Sequence, residues 1–227
     1  MRIAFLVLFF VAVAGLLNGC DALGAVAQVV TPPEKIEAKY PLPDKATLIV
    51  VDDPRGLVNS PSTLRRIASA TRSVLEAEEV VVLGGFVGQD ELAGYREELG
   101  DKYSTTSLAA LALHLNAKQV IHAEVTGFQV ELGGNVIRPA ISLNVKVFDL
   151  DQRARAFPQS RDPETGVDLG ATSYPLSSKL PASDLTGQSA ARSIAVRNLA
   201  DQTGRDIARL FFTWRMPAPG STLGTPQ

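Results

Sequence analysis

Between residues 119 and 147 the chain reads with a period of two, and no other stretch narrows its fold so far. Ile121, Ala123 and Val125 alternate with His122, Glu124 and Thr126. Successive side chains of a strand point to opposite faces, so the pattern specifies a strand with one apolar and one polar face. After Gly127 the phase changes, and Phe128, Val130 and Leu132 carry the apolar face on. A glycine at a phase change predicts a bulge. Gly133-Gly134-Asn135 is hairpin-turn chemistry. The return strand sets Ile141, Leu143, Val145 and Val147 against Ser142, Asn144 and Lys146. Residues 149–152 then turn the chain into a short segment at 153–157.

Upstream, Thr47-Leu48-Ile49-Val50-Val51 is a continuous β-branched run, the signature of a strand buried on both faces. Ser60 followed by Pro61 is a helix start, a capping hydroxyl before a proline at the first helical position. Leu64, Ile67, Ala68, Thr71, Val74 and Leu75 then recur at three and four. Val80-Val81-Val82-Leu83 reads as a second buried strand, which would complete a right-handed, parallel β-α-β unit. Residues 89–99 form a polar helix closed by Gly100. Ser104 and Thr105 are candidate caps for a third helix with Leu108, Leu111, Ala112 and Leu115 as its core face and Asn116 at its end.

Residues 158–170 are a charged loop, and 172–176 are an edge strand, since Pro175 cannot serve a central ladder. Residues 187–214 are the longest helix. Ala195, Val196, Leu199, Thr203, Ile207, Leu210, Phe211 and Trp214 lie on one side. Arg197, Asp201, Arg205 and Arg209 lie on the other, spaced by four for pairing. The expected fold is therefore a single α/β (α+β) domain over 46–214. It has a mixed sheet of four to five strands, a β-α-β start, an antiparallel hairpin and a long C-terminal amphipathic helix. Residues 215–227 are expected to be a loose tail.

The chemistry-bearing residues are few. The 227-residue chain has one cysteine and two histidines, and its net charge is -2. No basic excess exists to neutralise a phosphate backbone, so nucleic acid is not an expected partner. One cysteine leaves no disulfide framework and no Cys-cluster zinc site. His122 and Glu124 share a strand face about 7 Å apart; they read as a polar solvent face, with a catalytic pair as the lesser alternative. His114 sits in the last turn of its helix, where positive charge suits the dipole. Asp52-Asp53 follow the first strand, a usual place for α/β ligand sites, yet Asp52-Asp53-Pro54-Arg55-Gly56 also reads as a turn. Asp149 with Asp151, and Asp162-Pro163-Glu164-Thr165-Gly166, are turn chemistry. Leu83-Gly84-Gly85-Phe86-Val87-Gly88 has neither the dinucleotide register nor a P-loop lysine. Trp214 is a core residue or a partner anchor. No nucleophile, base and oxyanion set is complete, so no catalytic residue, cofactor or metal is expected.

The N-terminus is an address. Arg2 precedes an apolar stretch over 3–17 that matches a signal-peptide core and is short for a membrane span. Leu17-Asn18-Gly19-Cys20 closes it and resembles a bacterial lipobox. That resemblance implies cleavage before Cys20, so that 1–19 is a signal peptide, and a thioether diacylglycerol on Cys20 with acylation of the new terminus. Residues 20–45 would be the anchored tether, stiffened by Pro32, Pro33, Pro41 and Pro43. Asp21 after the cysteine leaves the choice of inner or outer membrane open.

A family resemblance adds to this. Leu113-His114-Leu115-Asn116-Ala117-Lys118-Gln119-Val120-Ile121-His122-Ala123-Glu124-Val125 resembles a helix followed by L-x-A-x-x-V-I-x-G-x-V, and the next strand ends Val147-Phe148-Asp149-Leu150. Both patterns recur in the group that includes the curli-secretion lipoprotein CsgG, the penicillin-binding-protein activator LpoB and the TolB N-terminal domain. The resemblance covers about residues 46–157, and the terminal helix by position only. Ala123 stands where the group often has glycine, and Asp149-Leu150-Asp151-Gln152-Arg153 lacks its Thr-Gly. The resemblance implies a small non-enzymatic α/β domain in the bacterial envelope, lipid-anchored through Cys20 and facing the periplasm. Its partner would be another envelope protein, which it serves as regulator or assembly component. The alternatives are a self-oligomerising part of an outer-membrane or secretion complex, and a solute-binding or hydrolytic lipoprotein.

Overall fold

The computed structural model describes residues 34–83, 85–133, 136–159, 170–181 and 189–216. The signal peptide, Cys20, most of the tether, the acidic turn at 162–166 and the tail from 217 lie outside the described residues. The two strands read from the period-two stretch are β3 and β4 of the sheet, at Gln119–Gly133 and Val136–Asp149. They pair antiparallel, with Ile121 opposite Val147 and Ala123 opposite Val145, and the register shifts between Val125 and Gly127 where the bulge is expected. Before them come β1 at Lys35–Ile36, β2 at Thr47–Asp52, helix α1 at Pro61–Ala77, α2 at Gln89–Leu99, a 3-10 turn at Gly100–Thr105 and α3 at Leu108–His114. After them come β5 at Ala154–Phe157, β6 at Tyr174–Lys179, α4 at Ser189–Ala208 and β7 at Trp214–Arg215.

The five-stranded mixed sheet runs β2-β3-β4-β5, with β6 also on β4. Strand β2 pairs parallel with β3, Thr47 opposite Gln119. β5 and β6 follow one another along the other side of β4, and Pro175 falls on this outer rank opposite Asn144. The fold class is the expected mixed α+β arrangement. Separately, β1 and β7 form a two-stranded piece with Ile36 opposite Trp214.

Several expectations are corrected. Residues 80–83 are not a strand. The N–H groups of Val82 and Leu83 donate to the Asp44 carboxylate at 3.0 and 3.1 Å instead of to a ladder. Among the described residues the outer edge of β2 meets only a single bridge, Thr47 to Phe86. The parallel partner of β2 is therefore β3, reached through three helices. Ser104 and Thr105 lie in the 3-10 turn, and Ser107 caps α3 by accepting from the Ala110 N–H at 3.2 Å. Helix α4 ends at Ala208, so Trp214 is outside it. Residues 39–42 run against the end of the last helical segment: the Lys39 and Tyr40 N–H groups donate to the Leu210 carbonyl, and Leu42 is buried.

Each sheet face has its own cover. On one, Ile49, Val51, Ile121, Ala123, Val145 and Val147 pack under α1 and α4. On the other, Leu48, Val50 and Val120 pack under Leu92 of α2 and Ala112 of α3. The β2 run is buried on both faces, as its composition predicts. Ser60 caps α1, accepting from the Thr63 N–H at 3.3 Å, with Pro61 first in the helix. Among the described residues no helix is long and apolar enough to cross a membrane.

Helices α1 and α4 cross closely. A Cβ on Gly204 would stand 2.5 Å from Ala70 Cβ and 2.8 Å from both the Ile67 carbonyl oxygen and the Thr71 nitrogen. Two of those atoms are backbone and cannot rotate away. Beside the crossing, Arg66 of α1 grips Asp201 of α4 with two hydrogen bonds of 2.7 Å. Asp201 thus pairs across helices and not along its own. Gly204→Ala is expected to force the helices apart and cost about 1–3 kcal/mol. A thermal melt of the variant, several degrees below wild type at this size, checks it.

Candidate functional site

Asp52 is the last residue of β2, aligned in parallel register with Glu124 of β3. Strand alternation puts Asp52, His122 and Glu124 on the face covered by the smaller helices. Asp52 is where side chains from four elements meet. Its Oδ1 accepts from Arg96 Nη2 of α2 at 2.9 Å and from the Tyr103 hydroxyl of the 3-10 turn at 3.3 Å. Its Oδ2 lies 3.2 Å from His122 Nε2 of β3. Arg96 Nη2 also donates to the Tyr103 hydroxyl, and its guanidinium carbon lies 4.5 Å from the Tyr103 ring centre.

The electrostatics close on Asp52. Its burial is the largest influence and pushes its carboxyl up. The His122 hydrogen bond and charge, the Arg96 guanidinium and the Tyr103 hydroxyl together outweigh it and hold the carboxyl below 3.8. Burial, with the Asp52 charge, pushes the Tyr103 phenol up, which keeps its proton available to donate. Arg96 Nε and His122 Nδ1 are buried with no hydrogen-bond partner among the described residues. His122 Nε2 is held by Asp52, which orients the ring at the cavity wall. The geometry suits a latch that fastens the helical layer to the sheet.

Beside the latch is a cavity of about 510 Å³ whose walls include Asp52, Asp53, Tyr103, Thr106, His122 and Glu124. Glu124 lines it with no hydrogen bond or ion pair among the described residues. Asp53 is spent on its own loop, accepting from the N–H groups of Leu57 at 2.9 Å and Val58 at 2.7 Å. No group of three or more His, Cys, Asp or Glu that could hold a metal exists among the described residues.

The other candidates fall elsewhere. His114 stacks on Tyr95, ring centres 3.7 Å apart and nearly parallel. Asp149 Oδ1 accepts from the N–H groups of Asp151 and Gln152 at 2.9 and 3.1 Å, and its Oδ2 meets Lys45 at 2.8 Å. In the glycine-rich stretch, the Gly85 carbonyl and the Val87 N–H bond to Thr47, so these groups hold a strand edge. Arg96 and Tyr103 are the site residues that the sequence reading missed. Arg96 is the single cation of an otherwise acidic helix, and that oddity is the only sequence signal for it.

No protein-family model matches the chain, and no curated protein matches it in sequence. Solved structures to which it is similar include bacterial lipoproteins. One is lipoprotein GNA1162 from Neisseria meningitidis, at 11% identity over 71% of this chain and 99% of that one, with a TM-score of 0.42. The PelC dodecamer from Paraburkholderia phytofirmans is similar at 11% identity over 80% and 95%, with a TM-score of 0.37. The LpoB C-terminal domain from Salmonella enterica is similar at 12% identity over 63% and 87%, with a TM-score of 0.32. At these scores the superpositions are loose.

Asp52→Asn removes the charge that Arg96 and His122 face. It is expected to cost about 1–3 kcal/mol at pH 7, since it leaves a partly buried guanidinium short of its partner. The folded carboxyl titrates below its unfolded value of 3.8. Its stabilisation is therefore complete above that value and is lost as pH falls through the lower folded one. Urea titrations from about pH 5 downward should show a shallower acid decline for Asp52→Asn than for wild type.

Proposed function

We propose that this chain is a lipid-anchored protein of the bacterial cell envelope whose α/β domain faces the periplasm. It docks there onto another envelope protein, as a regulator or assembly component, and catalyses no reaction of its own. The observation that carries this reading is the position of Cys20. It is the only cysteine in the chain, and it follows Leu17-Asn18-Gly19 at the end of the apolar stretch. Two or three acyl chains at that residue make a durable anchor, where one holds marginally. From Cys20 to Glu37, where the α/β unit begins, the chain extends by at most about 60 Å, an upper bound on how far the anchor lets the domain stand from the bilayer. The commitment of the Asp52 cluster to internal bonds agrees with a protein that acts by position and surface.

The cavity beside Asp52, His122 and Glu124 favours a second reading, a solute-binding lipoprotein. Its volume of about 510 Å³ falls in the range of small-molecule sites.

In-cell crosslinking of the tagged chain, with Cys20→Ser as control, separates the readings. The docking function predicts that wild type sediments with membranes and recovers one foreign envelope protein. Cys20→Ser should move to the soluble fraction and lose that partner. A ladder of self-crosslinks would transfer the weight to an assembly component. Unchanged membrane sedimentation of Cys20→Ser would overturn the anchor.

A further inference from the structure

Helix α3 covers only part of its sheet face, and an apolar groove of about 440 Å³ lies alongside it. Leu108 and Leu113 form one wall, Phe148 and Leu150 the other, with Val120 between. Leu113 is 66% exposed, a large apolar side chain turned outward on a seven-residue helix. Two charged residues line the same groove, Asp149 and Arg153. They differ in what they have left to give. Both Asp149 oxygens are engaged, one by Lys45 and the other by two backbone N–H groups. Lys45 also meets Asp151 at 3.1 Å. Arg153 has no hydrogen bond or ion pair among the described residues. It is held at the β4–β5 turn with φ of 51°, a left-handed conformation that an L-residue seldom adopts.

An aliphatic groove with one uncommitted guanidinium at its rim is complementary to an anionic amphiphile. The guanidinium presents a planar fork that matches a carboxylate with two parallel hydrogen bonds. The volume is at the small end of ligand sites, which suits a single chain. We propose that this groove binds a long-chain carboxylate, its aliphatic chain lying between Leu113 and Phe148 and its headgroup meeting the Arg153 guanidinium. The site is separate from the Asp52 latch, and the proposal stands whether or not the domain docks onto a protein.

Photo-labelling tests it on the full chain in its membranes. The probe is a hexadecanoate carrying a diazirine and an alkyne, and mass spectrometry maps the labelled peptides. Labelling is expected on peptides spanning 108–113 and 148–154. Unlabelled alkyl carboxylates should compete with strength rising about two- to fourfold per added methylene until the groove is full. Leu113→Asp, at an exposed position, should cut labelling at least tenfold while leaving the far-UV circular dichroism spectrum unchanged. Arg153→Ala should cut labelling by the carboxylate several-fold. It should leave labelling by the matching alcohol probe unchanged, a distinction that general surface stickiness would not make. Labelling spread over the domain, or undiminished in Leu113→Asp, would overturn the proposal. Equal loss of both probes in Arg153→Ala would overturn the assigned headgroup contact.

Discussion

The antiparallel pairing of β3 with β4 sets the geometry on which everything else rests. With Ile121 opposite Val147 and His122 opposite Lys146, one face of the pair is aliphatic and the other carries charge. A slip of one residue would exchange the faces along a strand. It would drive His122, Glu124 or Lys146 into the layer that Ile67 and Ile207 occupy, where nothing is placed to solvate them. The register is thus enforced by the cost of burying unpaired charge and not by the turn alone. β2 then adds in parallel to β3, and β5 and β6 add to the far side of β4.

The two faces of that sheet are covered unequally, and the chemistry of the molecule follows from the inequality. Helices α1 and α4 are long, and their close crossing at Gly204 seals one face. The layer of α2, the 3-10 turn and α3 is smaller and reaches across β2 and part of β3. At its edge the sheet residues turn from aliphatic to polar, Val50 giving way to Asp52 and Val120 to His122. The Asp52 latch sits at that boundary. Past α3 on the other side, where no helix among the described residues covers the sheet, the groove beside Phe148 remains. Charge is used where the layer must be fastened, and apolar surface is left where the layer ends.

The strands β3 and β4 were legible because a half-buried strand writes its two faces into the sequence. Helix α1 was legible because capping chemistry and a 3.6-residue period agree. The bulge at Gly127 was read from its phase change, although a Cβ there would meet Ser142 only at 3.6 Å, an ordinary contact. Glycine permits that bulge without being demanded by packing. Residues 80–83 misled because β-branched composition reports a buried, extended backbone and says nothing of its partner. Asp44, thirty-eight positions before Val82, took the N–H groups that a ladder would have used. The same limit governed the site. Asp52 and His122 could be singled out as residues, but Arg96 and Tyr103 reach them only through the fold, across separations of 44 and 51 residues to Asp52.

Under the proposed function, the anchor changes what the folded domain must accomplish. A partner held at the same membrane is met within the reach of the segment from Cys20 to Glu37, at most about 60 Å. Confinement of this kind acts as linking two modules does. It raises effective concentration, toward the millimolar range for short tethers, so that a modest interface can be filled without strong contacts. Interfaces of that class bury less than about 1,200 Å² and need no single large apolar patch. The described surface is consistent with this. Its large exposed apolar residues are Leu57, Val82, Leu83, Leu113, Ile194 and Met216, drawn from separate stretches of the chain. Affinity in such a protein is divided between lipid and surface, and the lipid's share is set at Cys20.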